Sequence, residues 1–268
     1  FNILSINWNS VAVIIPVYNR PDQLAVALQS VFDQSLQPNE IIVVDDGSTQ
    51  PLDLPDDVQL IQLNKNYGVS TARNIGIKQC TSDWIAFLDS DDVWGPSHLN
   101  DLMDYLRANP LLRIAQSDET WVRNGMHVNK KKYHSKPDGW GFKQSLERCL
   151  VSPSAVILHQ SMIDSFGCFN ESLPVCEDYD LWLRMLRYRP IGFCKSNTMT
   201  KFAGHGDQLS FKFDAMDKFR IEILFDLYVK EAHPSFKLFI YQRIIYLVDI
   251  LIYKKSVKVL EYNLFRKF

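Results

Sequence analysis

Three clusters of carboxylates and one histidine have the residue types and spacing to do chemistry. Asp45-Asp46 ends the apolar run EIIVV, and Asp89-Ser90-Asp91-Asp92 ends WIAFL. Glu177-Asp178-Tyr179-Asp180 opens a helical pattern, and His205 lies between Gly204 and Gly206. A carboxylate at 45 could accept the N–H of a base ring, although Asp-Gly also builds an ordinary Asx turn. Three carboxylates within four residues repel one another unless a cation or a hydrogen-bond network offsets them, which points to Mg2+ or Mn2+ and through it to a diphosphate. The D-x-D spacing alone is worth little, because roughly two such triplets arise by chance in a chain this rich in Asp. The acidic turn at 177–180 reads, taken alone, as a complement to a helix dipole. A lone histidine is more often structural than a ligand, but its flanking glycines make a site role plausible. No Ser or Cys has an evident base partner, so covalent catalysis is not indicated.

The elements that must position these residues follow from apolar periodicity. VAVIIPV (11–17), EIIVVDD (40–46), VQLIQL (58–63) and WIAFLD (84–89) read as strands, several of them apolar without alternation and therefore covered on both faces. Between them, 22–34, 68–80 and 96–108 carry helical spacing. This order implies an α/β fold: a Rossmann-like, mainly parallel central sheet flanked by helices, with ligands at the carboxyl ends of the strands. The turn after the first strand, Pro16-Val17-Tyr18-Asn19-Arg20, has no glycine, so a dinucleotide fingerprint and a P-loop are both disfavoured. Residues 121–139 read as a surface excursion with a hairpin at Asn124-Gly125 and a basic run at 130–132. Residues 151–159 and 191–196 return to strand, 177–189 to helix, and everything from 214 onward is helical, a new helix starting at Pro234.

The whole chain, 268 residues and 46% hydrophobic, suits one domain with an appendage. Its net charge of −2 argues against a nucleic-acid partner. That total hides a division: residues 1–120 hold 6 Lys/Arg against 16 Asp/Glu, and residues 121–268 hold 23 against 15. Five widely spaced cysteines form no C-x-x-C, which fits a reducing compartment better than a disulfide framework or a zinc site.

Taken in order, PVYNR, VDDGS, NYGVSTARNIGI, WIAFLDSDDVW and CEDYDLWLRM resemble the family 2 glycosyltransferases of the GT-A fold, over about residues 10–210. The resemblance implies a catalytic domain over 1–212, nucleotide-binding in 10–120 and acceptor-facing in 121–212, followed by a helical region over 213–268. It implies that Pro16, Val17, Tyr18, Asn19 and Arg20 line the donor nucleotide, with Asp45 on the base and Arg73 on the base or diphosphate. Asp89 and Ser90 would hold the ribose, Asp91 and His205 the metal, and Asp92 would support the site. Asp178 would be the general base, with Glu177, Asp180, Trp182 and Arg184 orienting it or meeting the acceptor. The implied reaction is inverting transfer from a nucleoside-diphosphate sugar, UDP favoured, to a saccharide or lipid-linked acceptor in bacterial-type surface polysaccharide synthesis, assisted by Mn2+ or Mg2+.

One departure from the family pattern is Gly167-Cys168-Phe169-Asn170-Glu171, where many relatives carry Gly-Gly-Phe-Asp-Glu; it touches the sugar or acceptor contacts. A sugar nucleotidyltransferase would need a Gly- and Arg-rich phosphate loop that PVYNR does not supply. A noncatalytic nucleotide-sugar-binding scaffold is disfavoured by the presence of Asp178 beside Asp89 and Asp91. The basic tail after Lys230 suits either an anionic membrane surface on the inner face of the cell membrane or packing on the catalytic domain or a second subunit. Packing is the preferred expectation, in a cytoplasmic protein.

Overall fold

The computed structural model describes residues 7–204 and 216–265, with side chains as far as residue 254. Strands β1 (Val11–Val17), β2 (Glu40–Asp45), β3 (Gln59–Gln62) and β4 (Trp84–Phe87) alternate with helices α1 (Pro21–Phe32) and α2 (Val69–Gln79), and α3 (His98–Ala108) follows β4. They are joined by β5 (Val93–Trp94), β6 (Ile114–Arg123), β7 (Met126–Val128), β8 (Val156–His159) and β9 (Gly192–Ala203). The sheet runs β3-β2-β1-β4-β8-β6-β9-β5, with β7 on the side of β6. The remaining helices are α4 (Phe142–Glu147), α5 (Gln160–Phe166), α6 (Glu177–Leu186), α7 (Asp217–Lys230) and α8 (Pro234–Phe265).

Only the half formed by β3, β2, β1 and β4 is uniformly parallel. Beyond β4 the sheet is mixed, because β8 enters antiparallel to both β4 and β6 while β6 and β9 run parallel. The excursion begins later than the sequence suggests: Trp121, Val122 and Arg123 are still paired with Lys201, Phe202 and Ala203. The hairpin falls where expected. Asn124 and Gly125 take φ of 50° and 75°, the pair of left-handed residues that a two-residue turn needs to match strand twist.

Continuous apolarity in β1 has a direct cause. Val11, Val13, Ile15 and Val17 face one core with α1 and α3, whereas Ile14 faces the other with α2 and α6. Helix α2 lies close against β1: a Cβ on Gly76 would stand 2.4 Å from Ile14 Cγ2. The C-terminal helices join the second core through Ile223, Leu224, Leu227, Ile240 and Leu247, all buried. That is the packing arrangement expected for the tail. Among the described residues no helix is long and apolar enough to cross a membrane.

Candidate active site

Parallel β1, β2 and β4 end side by side, so Val17, Asp45 and the 89–92 loop share one edge. Pro16 and Val17 are buried in β1, whereas Tyr18 is exposed just beyond it. Asn19, at φ 52°, stitches this turn to the next: its N–H donates to Ser48 Oγ (2.8 Å) and its Oδ1 accepts from Thr49 N (2.8 Å). Asp45 Oδ1 accepts Ser48 N at 2.9 Å, the Asx turn that Asp-Gly allows. Asp46, passed over in the sequence, accepts the N–H groups of Tyr67 (2.7 Å) and Gly68 (2.8 Å) and so fixes the entry to α2. Burial raises its carboxyl despite those donors.

The 89–92 loop is held from several sides. Arg20 Nη1 donates to Asp91 Oδ2 at 2.7 Å. Asp92 is fully enclosed, accepting from Ser154 Oγ (2.7 Å) and Phe202 N (3.1 Å), and Ser154 Oγ also accepts Asp89 N (3.0 Å). Ser90 is buried in the same loop. Burial, with the charges of Asp89 and Asp91, pushes Asp92 up to about 8 in spite of nearby Lys201. For Asp89, burial is outweighed by Arg73 and Lys201, which hold its carboxyl below the ordinary value. Asp91 is raised by burial and by the charge of Asp89.

Arg73 is the link between this edge and the next cluster. Its guanidinium donates to Asp89 Oδ1 at 2.7 Å and to Glu177 Oε1 at 2.8 Å while being 3% exposed. The resemblance implies Arg73 at the base or diphosphate; in this structure its guanidinium pairs with two carboxylates. Glu177 is raised by burial and by Asp178 next to it, with Arg73 opposing. Helix α6 starts from Cys176 in a left-handed conformation (φ 64°), which sends Glu177 toward Arg73 and Asp178 toward a cavity. Asp178 Oδ1 accepts Tyr179 N (2.7 Å), and Oδ2 accepts the Cys149 thiol (3.3 Å). That contact corrects the expectation that no cysteine has a base partner.

The cavity encloses about 590 Å³. Its wall includes Trp121, Glu119, Lys136, Lys201, Cys149 and Asp178. Glu119 and Lys136 form a buried pair at 2.8 Å, and Trp121 Nε1 donates to Glu119 at 2.7 Å. Burial alone would raise Glu119, but Lys136 and Lys201 bring it down to about 2. Burial likewise works against the Lys201 ammonium, yet Asp92, Glu119, Asp89 and Asp178 around it raise it above the ordinary value.

Residues 12–161 match the family description Glycosyl transferase family 2. The chain belongs to glycosyltransferase family 2. This family 2 chain is 29% identical over 227 residues to an uncharacterized glycosyltransferase of Rickettsia conorii, covering 78% of itself and 36% of that relative. It is 29% identical over 187 residues to the Escherichia coli UDP-Glc:alpha-D-GlcNAc-diphosphoundecaprenol beta-1,3-glucosyltransferase WfaP, covering 66% of itself and 70% of WfaP. Among solved structures, S. aureus TarS in complex with UDP-GlcNAc superposes with a TM-score of 0.70 at 20% identity, over 89% of this chain and 71% of that one, which supports the GT-A fold. The chain spans about a third to three fifths of the length of the first Rickettsia relatives it matches.

Several residues of the family 2 motifs do not stand where adjacency suggests. Asp180 is two residues past Asp178, about 200° round the helix, and pairs with Arg184 at 2.9 Å. Arg184 also donates to the carbonyls of Phe166 and Cys168, tying α6 to the end of α5. Trp182, one turn deeper along α6, is 1% exposed and packs against Phe169. None of these three lines the cavity that Asp178 faces. His205 lies outside the described residues. Residues missed in the sequence are Asp46, Glu119, Lys136, Cys149, Ser154 and Lys201. Asp46 sits beside a residue already singled out, and Lys201 four before His205; the others give no local signal.

Among the described residues no group of three or more His, Cys, Asp or Glu is arranged to hold a metal unaided. Asp89 and Asp91 nevertheless offer hard oxygen donors, and the charge of Asp89 is felt at Asp91. That donor set fits Mg2+ or Mn2+, which commonly rests on one or two carboxylates with substrate phosphates completing its shell.

Proposed function

We propose that the chain transfers a sugar from a nucleoside-diphosphate sugar to an acceptor hydroxyl, with inversion and by single displacement. The observation that carries this reading is Asp178, which faces the cavity on one side and is joined on the other, through neighbouring Glu177 and Arg73, to Asp89 at the strand edge. The donor would lie on that edge, its base near Asp45 and Tyr18 and its ribose near Asp89. The acceptor would enter the cavity and place a sugar ring by Trp121. Asp178 takes the proton of the acceptor hydroxyl as its oxygen bonds to the anomeric carbon and the bond from that carbon to the diphosphate oxygen breaks. Arg73, by pairing with both Asp89 and Glu177, leaves Asp178 as the carboxylate of this cluster that faces the cavity. Asp91 would hold the divalent cation, which when bound offsets charge on the departing diphosphate.

A UDP-sugar is the favoured donor, supported by the printed activity of WfaP and by TarS having been solved with UDP-GlcNAc and with UDP. A saccharide on a lipid diphosphate, or a surface polymer, is the favoured acceptor class, supported by WfaP and by the putative teichuronic acid biosynthesis glycosyltransferase TuaG of Bacillus subtilis, 25% identical over 68% of this chain. Asp178→Asn is expected to lower transfer by about 10³-fold, within the range for loss of a general base, while donor affinity by calorimetry stays within about twofold of wild type. Unchanged turnover would sink the mechanism, and failure of the wild type to bind any nucleoside-diphosphate sugar would sink the function.

A further inference from the structure

Cys149 sits in the segment between α4 and β8, outside every acidic motif, although Ser154 of the same segment braces the 89–92 loop. Its sulfur nevertheless stands 3.3 Å from Asp178 Oδ2 and lines the same cavity. The other carboxylate oxygen is already taken by Tyr179 N. A backbone N–H from the helix's own first turn fixes one end of the carboxyl group; the thiol, arriving from another segment, fixes its rotation. We propose that Cys149 is a positioning residue for the base, its S–H holding Oδ2 of Asp178 so that the carboxylate stays aimed into the cavity. This rests on the reading of Asp178 as the base.

The surroundings explain why a thiol serves. Burial first, and then the charge of Asp178, push the Cys149 thiol well above its ordinary value, so it stays an S–H donor and never a competing nucleophile. The sulfur also lies 3.5 Å from the carbonyl of Val151. One proton cannot serve both acceptors fully, and a charged carboxylate draws it more strongly than a neutral carbonyl. Once Asp178 has taken the acceptor's proton that preference weakens, and a rotation about Cβ–Sγ turns the S–H to Val151. The donor therefore follows the charge on the base through the reaction. A hydroxyl, bonding more strongly, would hold the charged form more firmly.

The groups facing Asp178 set what a pH experiment reads. Glu177 and Cys176 come from its own helix, Cys149 from the α4–β8 segment and Lys201 from β9; Glu119, Lys136, His134 and Arg123 line the cavity beyond. Removing the thiol takes away one donor to Asp178 Oδ2 and leaves these groups in place.

The test compares pH profiles of kcat/KM for the acceptor, at saturating donor, in wild type, Cys149→Ala and Cys149→Ser. The alanine variant is expected to lose roughly three- to tenfold in kcat/KM near neutrality, the worth of one modest hydrogen bond. Its acidic limb should move to higher pH with the donor KM unchanged. The serine variant should keep the limb at or below its wild-type position. A thiol that merely fills space predicts the reverse order, with alanine close to wild type and serine the worse, and that result overturns the proposal. Raman spectroscopy gives a readout independent of turnover: the S–H stretch lost in Cys149→Ala should shift in Asp178→Asn, and a band that does not move overturns the contact. Absence of transfer by the wild type would instead sink the function on which this rests.

Discussion

The donor edge and the acceptor wall hold their charges in different ways. At the donor edge, backbone N–H groups grip Asp45 (Ser48), Asp46 (Tyr67 and Gly68) and, with Ser154 Oγ, Asp92 (Phe202), while arginines pair with Asp89 and Asp91. On the acceptor wall, side chains hold side chains across strands and loops, Glu119 with Lys136 and Trp121, and Cys149 with Asp178. A backbone donor cannot be substituted away, so Asp45 and Asp46 keep their geometry when neighbouring side chains change. A side-chain pair can be rebuilt by two substitutions. On the proposed reading, the edge that meets the nucleotide is held partly by the backbone itself, and the wall that meets the acceptor by side-chain pairs that can be rebuilt.

The largest test of this contrast is Arg73, which touches both regions. Arg73→Ala leaves Asp89 and Glu177 without their shared partner, and stripping one side of a buried ion pair costs about 3–5 kcal/mol. Urea denaturation of that variant should show the loss. Arg73→Lys, which cannot reach both carboxylates with one ammonium, should recover only part of it.

A second test uses pH, in chelator-containing buffer. Glu119 sits at about 2 in the folded protein against 4.5 ordinarily, so its stabilisation is full above about 4.5 and drains away as pH falls toward 2. Glu119→Gln should therefore cost about 2–3 kcal/mol at neutral pH, the range for a hydrogen bond to a charged group, and that cost should shrink in acid. Asp92 behaves oppositely. With its folded value near 8 against 3.8, the stability it contributes is present below about 3.8 and lost as pH rises through 8. The Tm of Asp92→Asn relative to wild type should rise between pH 5 and 8.5, while that of Glu119→Gln stays level.

The smallest effect concerns the hairpin beside the cavity. Gly125 has open space where a Cβ would sit, so Gly125→Ala carries only the left-handed backbone penalty, about 1 kcal/mol. Thermal melts should show a shift of a few degrees at most, with donor binding untouched.

The donor edge was legible in the sequence because its signals are local: an apolar strand, then carboxylates, repeated twice along the chain. Consecutive parallel strands then bring these ends together. The acceptor wall was not, since Glu119, Lys136, Cys149 and Lys201 come from four segments with no shared periodicity. Pairings such as Glu119 with Lys136 exist only once the segment between β7 and α4 folds back against β6. The motif at 177–184 is spread over several surroundings for a different reason. Neighbours in a helical sequence diverge by 100° per residue, so a string of polar residues is shared among several environments.

Gly76 carries a consequence beyond packing. The missing side chain there lets α2 rest directly on Ile14, and Arg73 sits one turn earlier on the same helix. The spacing between that helix and the strand is thus a gauge block for the site, setting how far the guanidinium reaches toward Asp89 and Glu177. An added methyl at position 76 would be transmitted as a lever displacement to a residue it never touches, so the tolerance of this machine is set at a place where no chemistry occurs.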